Sequence, residues 1–295
     1  MLNFKKRLYK LYHRIIIKLW KDSEKYLASE QTSQLILKNQ YKQINKSDIF
    51  KYSFGEVGFR KYSQNSEDGI LLFIFSMIST TNKIVVEICA SDGMECNSAN
   101  LIINHGWNAL LFDGDGENID KGRRFYKTHA DTFSLPPRFV HAWVTRSNIN
   151  TLISNNNVSG EIDLLSIDID GVDYWIWDAI TCINPRVVVT EVQFVWGCEK
   201  SVTVPYSDDF KTKYENGFGI YSGASIKAFV KLAKSKNYRL IGFEKYGFNA
   251  FFMRNDIGTD IFPAIGIENY ENIPFVKWGK NKYLHLIKDK EWEEV

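Results

Sequence analysis

The spacing of apolar and polar positions changes character near residue 66. Before it, Phe4, Leu8, Leu11, Tyr12, Ile15 and Leu19 recur at helical spacing on one face. Lys6, Lys10, Arg14 and Lys18 follow one another four apart on the other side, which predicts a basic amphipathic helix with Trp20 near its end. A second, more polar helical stretch is expected from about Ser23 to Tyr41, with residues 31–51 read as a linker or loosely packed cover.

From Ser66 onward, helix and strand patterns alternate. Ser66-Glu67-Asp68 sets an N-cap and first-turn acids before an apolar run to Met77. Lys83–Cys89 reads as a buried strand, Cys96–His105 as a helix stopped by Gly106, Trp107–Phe112 as a strand and Asn118–Thr128 as a helix. Arg138–Val144, Asp163–Ile169 and Arg186–Val192 read as further strands, separated by helices at Ile149–Ser154 and Tyr174–Cys182. An insertion rich in aromatic and turn residues, Gln193–Ser222, precedes a strong helix at Ala224–Lys236. Tyr238–Phe243 and Asn249–Met253 then form two strands joined by a turn at Tyr246-Gly247. Such alternation predicts an α/β fold, a mostly parallel sheet with helices on both faces. The final link is too short to cross over, so the last strand is antiparallel. The organisation expected is a helical extension and linker over 1–50, an α/β domain over 51–255, and a tail over 256–295 that the pattern does not place.

Composition narrows the class. With 44% hydrophobic residues and a net charge of +2 in 295 residues, the chain is not disordered, and 19 Gly and 6 Pro exclude collagen-like sequence. The longest apolar run, Gly69 to Ile78, is about half the ~20 residues that a bilayer span needs. Arg14 and Lys18 interrupt the early apolar stretch, so no secretory signal peptide is expected. Cys89, Cys96, Cys182 and Cys198 form no CxxC pair, which suggests neither a zinc site nor a disulfide framework and fits a reducing, cytoplasmic compartment.

Charge is unevenly spread. Residues 1–21 hold seven Lys or Arg and no acid, leaving 30 basic against 35 acidic residues in the remainder, a net of −5. An acidic body has no footprint for nucleic acid. The basic arm has two readings. It lies on an anionic membrane surface, at the inner membrane face, or it packs its apolar stripe on the body or on a second copy in a homo-oligomer.

Ligands of open α/β sheets bind beyond the carboxyl ends of the strands, and those junctions are acidic here. Capping of the following helices explains one acid per junction and leaves several over. After the first strand comes Val86-Glu87-Ile88-Cys89-Ala90-Ser91-Asp92-Gly93, a small-residue turn without the glycines of a G-x-G-x-x-G pyrophosphate site. Its acids disfavour phosphate and favour a cationic or zwitterionic ligand. After the second strand, Asp113 is the better candidate and Asp115 the reserve for gripping ribose hydroxyls, against the reading of Asp-Gly as a turn. At the third junction, His141 and Trp143 have apolar faces that can flank an adenine, or belong to core or surface.

At the fourth, Asp168 and Asp170 are two apart, on one side of a continuing strand, with Asp173 capping the next helix and Glu191 ending the neighbouring strand. Asp168, Asp170 and Glu191 suit general base catalysis, or an oxygen-only divalent site such as Mg²⁺. The plain alternative is that the two Asp residues only close the strand.

Glu87 to Gly93, Asp113 and the closing hairpin resemble class I S-adenosylmethionine (SAM) methyltransferases. More narrowly, Tyr62-Ser-Gln-Asn-Ser-Glu-Asp-Gly69, Gly106-Trp107 leading into LLFDGD, and LLSIDIDGVDYW are similar to FkbM-type methyltransferases, over about residues 60–255. The resemblance implies a Rossmann-like class I methyltransferase sheet that binds SAM through the set Glu87, Ala90, Ser91, Gly93, Asp113, Asp115, His141 and Trp143. It also implies O-methylation of a sugar hydroxyl on a surface glycan or its precursor. SAM, cationic at sulfur and lacking phosphate, agrees with the junction acids. The insertion, with Phe194, Trp196, Tyr206, Phe210, Tyr214 and Phe218, is the expected acceptor wall, or a loop packing its own small core. Cys89 stands where the usual motif has glycine, which suits the alternative of a non-catalytic SAM-fold scaffold in glycan assembly. A nicotinamide-dependent oxidoreductase is disfavoured by the missing glycines.

Overall fold

The structure, a computed structural model, describes residues 30–45, 48–49, 52–212, 214, 217 and 219–295. The basic helix expected over residues 1–21, with its membrane and packing readings, and Phe218 of the insertion lie outside the described residues. The described chain falls into two compact units, one ending at Ile44 and one spanning Asn45–Val295. In the first, residues 30–42 are helical (α1).

The second unit is built on strands β1 (Ile84–Ile88), β2 (Asn108–Asp113), β3 (Arg138–His141), β4 (Gly160–Ile167), β5 (Ile183–Glu191), β7 (Tyr238–Phe243) and β8 (Asn249–Arg254). Their order across the sheet is β3-β2-β1-β4-β5-β8-β7. The first five strands run parallel, and β8 is antiparallel to both β5 and β7. The Rossmann-like sheet with its closing antiparallel hairpin is thus observed.

Helices α2 (Phe54–Val57), α3 (Glu67–Met77), α4 (Ala99–His105), α5 (Gly116–Thr128), α6 (Ile149–Asn155), α7 (Asp173–Ala179) and α8 (Ile226–Ser235) link the strands. Alternation in the strands decides the core: Val86, Ile88, Leu110, Phe112, Leu165, Ile167 and Val188 pack with Ile149, Ile153, Ile176, Trp177, Phe229 and Leu232 from α6, α7 and α8. The chain reverses direction in the sheet at β1, where β2 and β4 flank it, so a crevice opens beyond its carboxyl end.

Residues 256–295 are integral to this unit. Helix α9 (Pro274–Ile287) packs on a short 3-10 turn at Phe194–Trp196, and Val276, Tyr283 and Ile287 are buried in the main core. The last strand, β9 (Glu293–Glu294), pairs with β6 (Val202–Thr203) from the insertion. Among the described residues, no helix is long and apolar enough to cross a membrane.

Two groups of charge lie at opposite ends of the strands. At the amino end, Arg186 meets Asp163 at 2.7 Å, and Arg254 meets Glu161 at 2.6 Å and Asp256 at 2.7 Å. At the carboxyl end the charges are acidic, and that end carries the site.

Candidate active site

Two cavities open beyond the carboxyl ends of the strands. The smaller is lined by Cys89, Asp113, Gly114, Trp143, Ile169 and Gly171, and by Ser207, Asp208 and Phe210 of the insertion. The turn after β1 holds Cys89 at φ 65° and Ser91 at φ 51°. Non-glycine residues rarely adopt this left-handed region, and each costs on the order of 1–3 kcal/mol unless its surroundings enforce it. Asp113 does so here, accepting the Ser91 N–H at 2.8 Å and the Asp115 N–H at 2.8 Å. Cys89 therefore adopts the glycine-like backbone that the motif requires despite its side chain. Desolvation in the turn and the carboxylates of Asp113, Asp168, Asp170 and Asp173 push its thiol up, although the residue reaches the surface.

Several sequence expectations change here. Glu87 is buried, and its two oxygens accept the N–H groups of Asn97 and Ser98 and the hydroxyls of Ser98 and Ser166. It anchors the start of α4 and does not face the cavity. Ala90 is buried, with its N–H given to Phe112. Gly93 is required by packing: a Cβ there would lie 2.9 Å from the Phe139 ring. Asp115 is the N-cap of α5, accepting the Glu117 N–H at 2.8 Å, as the turn reading had it. His141 lies on the surface, 3.0 Å from the Gly114 carbonyl, and is absent from the cavity lining. Of the proposed cofactor set, the cavity brings together Asp113 and Trp143, with Ser91 bonded behind them.

The second cavity, of about 420 Å³, gathers the acids of the fourth junction. Its lining includes Asp168, Asp170, Glu191, Gln64, Asn65, Tyr214 and Phe248. One carboxylate oxygen from each of Asp168, Asp170 and Glu191 lies within 4.8 Å of the others. The convergence arises differently from the expected continuing strand. β4 ends at Ile167, and the buried Asp173 closes a turn by accepting the N–H groups of Ile169 at 2.8 Å and Gly171 at 3.0 Å. Asp170, at φ 54°, thereby swings to the same side as Asp168. Burial pushes the Asp173 carboxyl up to about 6, against those two hydrogen bonds.

Electrostatics separates this group from the structural acids. Asp163 is also buried, but Arg186 and the N–H groups of Thr81, Asn82 and Lys83 outweigh the burial and hold it below the usual range. Burial pushes Asp168 and Glu191 well above that range, and neighbouring carboxylates add to the shift. No Lys, Arg or His lines the cavity among the described residues. An oxygen-only donor set without a resident cation fits a hard divalent ion.

The Tyr62–Gly69 segment forms the facing wall. Asp68 accepts the N–H groups of Lys61, Tyr62 and Ser63 at 2.6, 2.6 and 2.8 Å, folding a loop that presents Gln64 and Asn65 to the cavity. Gly69 permits it, because a Cβ there would meet the Phe59 nitrogen at 2.3 Å. Asn65 carries a buried Nδ2 with no hydrogen-bond acceptor, a donor left over for a ligand. These residues escaped site assignment from the sequence because they precede the first strand.

The insertion also departs from expectation. Trp196 is buried in the core and lines neither cavity, whereas Phe194, also buried, lines the acidic cavity together with Tyr214 and Phe248. Residues 206–212 and Tyr214 strap the two cavities. The Trp143 indole donates to the Asp208 carbonyl at 2.5 Å, Phe210 packs over Gly171, Thr212 donates to the Asp170 carbonyl, and the Tyr214 hydroxyl donates to the Asp170 carboxylate at 2.6 Å. Under this strap the smaller cavity is about 60 Å³, against the roughly 300 Å³ or more of a typical cofactor site.

No protein-family model and no curated protein matches the chain. Solved structures do. The chain is similar to a SAM-dependent methyltransferase from Clostridium acetobutylicum (11% identity, 63% of this chain and 90% of that one, TM-score 0.41). It is also similar to magnesium protoporphyrin IX methyltransferase from Synechocystis with bound SAM (7% identity, 75% and 96%, TM-score 0.39). A third match is the methyltransferase domain of bacterial CtHen1 (12% identity, 63% and 96%, TM-score 0.42). The likeness is one of fold.

Proposed function

We propose that the chain is a SAM-dependent methyltransferase that O-methylates a sugar hydroxyl of a glycan or its precursor. The observation that carries the reading is the placement of the unneutralised group Asp168, Asp170 and Glu191 at the carboxyl ends of β4 and β5, next to the Asp113 cavity. Asp113 fits a ribose, with spare acceptor capacity on a carboxylate already fixed by two backbone donors. Trp143 fits an adenine face. The cofactor, when bound, supplies a methyl group on a positively charged sulfur. Methyl transfer to the acceptor oxygen would leave the C–S electron pair on sulfur, and a cavity carboxylate would take the hydroxyl proton. Burial and the neighbouring carboxylates push Asp168 and Glu191 well above the usual carboxylate range, a penalty that a cation held between them would offset. That observation favours a divalent ion such as Mg²⁺ held by Asp168, Asp170 and Glu191, which would lower the hydroxyl's pKa there.

The deciding experiment is titration calorimetry with SAM, followed by methyl transfer to sugar acceptors with and without a chelator. SAM binding with transfer supports the reading. SAM binding without transfer to any acceptor would favour a non-catalytic SAM-fold protein, and transfer unaffected by chelation would remove the metal.

A further inference from the structure

The aromatic surface beside the acidic cavity combines Phe194 and Tyr214 of the insertion with rings from elsewhere in the chain. Phe248, in the β7–β8 turn, is part of the cavity wall, and its ring lies 4.7 Å from that of Phe275 on α9. Phe275 in turn lies 5.2 Å from Trp278 and 5.9 Å from Tyr246. Trp278 and Tyr246 are 41% and 39% exposed. Ring contacts therefore run without a break from inside the cavity to two rings at the surface.

The shelf is fixed before any ligand arrives. The Tyr270 hydroxyl donates to the Gly247 carbonyl at 2.6 Å, and a Cβ at Gly247 would meet Val276 at 2.7 Å, so the hairpin turn is seated on the tail helix. Each exposed ring also has a lysine beside it, Lys245 at 4.7 Å from the Tyr246 centroid and Lys282 at 4.8 Å from that of Trp278. Isolated exposed aromatics need no explanation. A row of them continuous with a cavity wall and flanked by donors asks for a ligand with apolar faces and a polar rim. A sugar ring has that form: its C–H face packs on an aromatic ring and its hydroxyls accept from the lysines. An acyl chain or apolar helix would leave those donors against hydrocarbon.

We propose that the acceptor is an oligosaccharide chain, with its reacting unit in the acidic cavity and further units on Phe248, Tyr246 and Trp278. This rests on the glycan reading above and names its substrate as a polymer, in contrast to a single activated sugar. Pre-organised rings add affinity with little ordering cost, so binding should grow with chain length.

The test is calorimetric titration of the full chain with cello- and chito-oligosaccharides, from monosaccharide to hexamer, in wild type, Trp278→Ala and Tyr246→Ala. The expected result is a rise in affinity of about tenfold or more with length, reduced in both variants, because each lost stacking face removes apolar burial. Length-independent binding, no binding by any oligomer, or a rise that survives both substitutions would overturn the proposal. SAM affinity measured in the same samples keeps the two readings apart: its absence would sink the methyltransferase reading, and the length series would still judge the shelf.

Discussion

Asp168 and Glu191 stand side by side at the ends of neighbouring parallel strands, one position beyond the Ile167–Thr190 pair. Their side chains are within reach of one another and of Asp170, in a cavity wall without a cationic residue among those described. A fold selected for stability alone would pair or replace them, as it pairs Asp163 with Arg186 at the other end of the sheet. Their grouping without a cationic residue in the cavity wall is what points to chemistry.

Asp168→Asn should lower methyl transfer by about 10² or more, the scale for losing a positioned acid–base group, with SAM affinity within a few-fold of wild type. Because the Asp168 charge helps raise Glu191, the substitution should also shift residual activity. Activity that needs ionised Glu191 will have its acid limb moved to lower pH. Thermal melting at neutral pH should be unchanged or improved, since one of three clustered like-charged acids is removed. Full activity in both Asp168→Asn and Glu191→Gln would refute the role.

Sheet and site were unevenly legible in the sequence. The strands and the antiparallel hairpin followed from periodicity and link length, and the acids of the fourth junction from their place after a strand. What periodicity could not reveal was the destination of a side chain with two capable uses. Glu87 and Asp113 both follow the same signal, yet Glu87 faces the α4 N-terminus and Asp113 a cavity. The tail was unreadable because α9 is placed by Tyr270, Val276 and Tyr283 packing on distant segments, contacts with no local pattern. The same non-local packing put Phe248 and Phe275 together and buried Phe194 and Trp196.

Asp113 and Asp115 make a paired test of ligand grip against capping. Asp113→Ala should weaken SAM binding about tenfold or more, losing roughly 1.5–3 kcal/mol of hydrogen bonds to a charged group. Asp115→Ala removes an exposed N-cap and should cost about 1 kcal/mol of stability with SAM affinity unchanged. Calorimetry and urea unfolding read the two separately. Equal effects on SAM affinity would deny Asp113 its ribose role.

Phe210 lines the smaller cavity, where the proposed cofactor's adenosine would sit. Phe210→Ala should therefore open the smaller cavity and raise SAM affinity or association rate by several-fold, since the cost of displacing a ring from Gly171 disappears. Stopped-flow fluorescence of Trp143, which donates to the Asp208 carbonyl on the same strap, reports the event. Unchanged association kinetics would show that the strap already leaves the cofactor path open.

Glu244, buried in the β7–β8 turn, accepts the Tyr246 N–H at 2.7 Å and the Phe248 N–H at 2.6 Å, and so shapes the turn that carries Phe248 to the cavity. Burial outweighs these bonds and pushes its carboxyl from 4.5 up to about 7. The folded state thus binds the proton more tightly than the unfolded chain. Its contribution is full below the unfolded value of 4.5 and is lost as pH rises through about 7, up to about 3 kcal/mol in all. Glu244→Gln removes this titration and one acceptor for the two N–H groups, worth about 1 kcal/mol. The variant should be less stable than wild type near pH 4.5, with the deficit shrinking or reversing above pH 7. Urea unfolding across that range measures it, and parallel stability curves for the two proteins would show that Glu244 titrates normally.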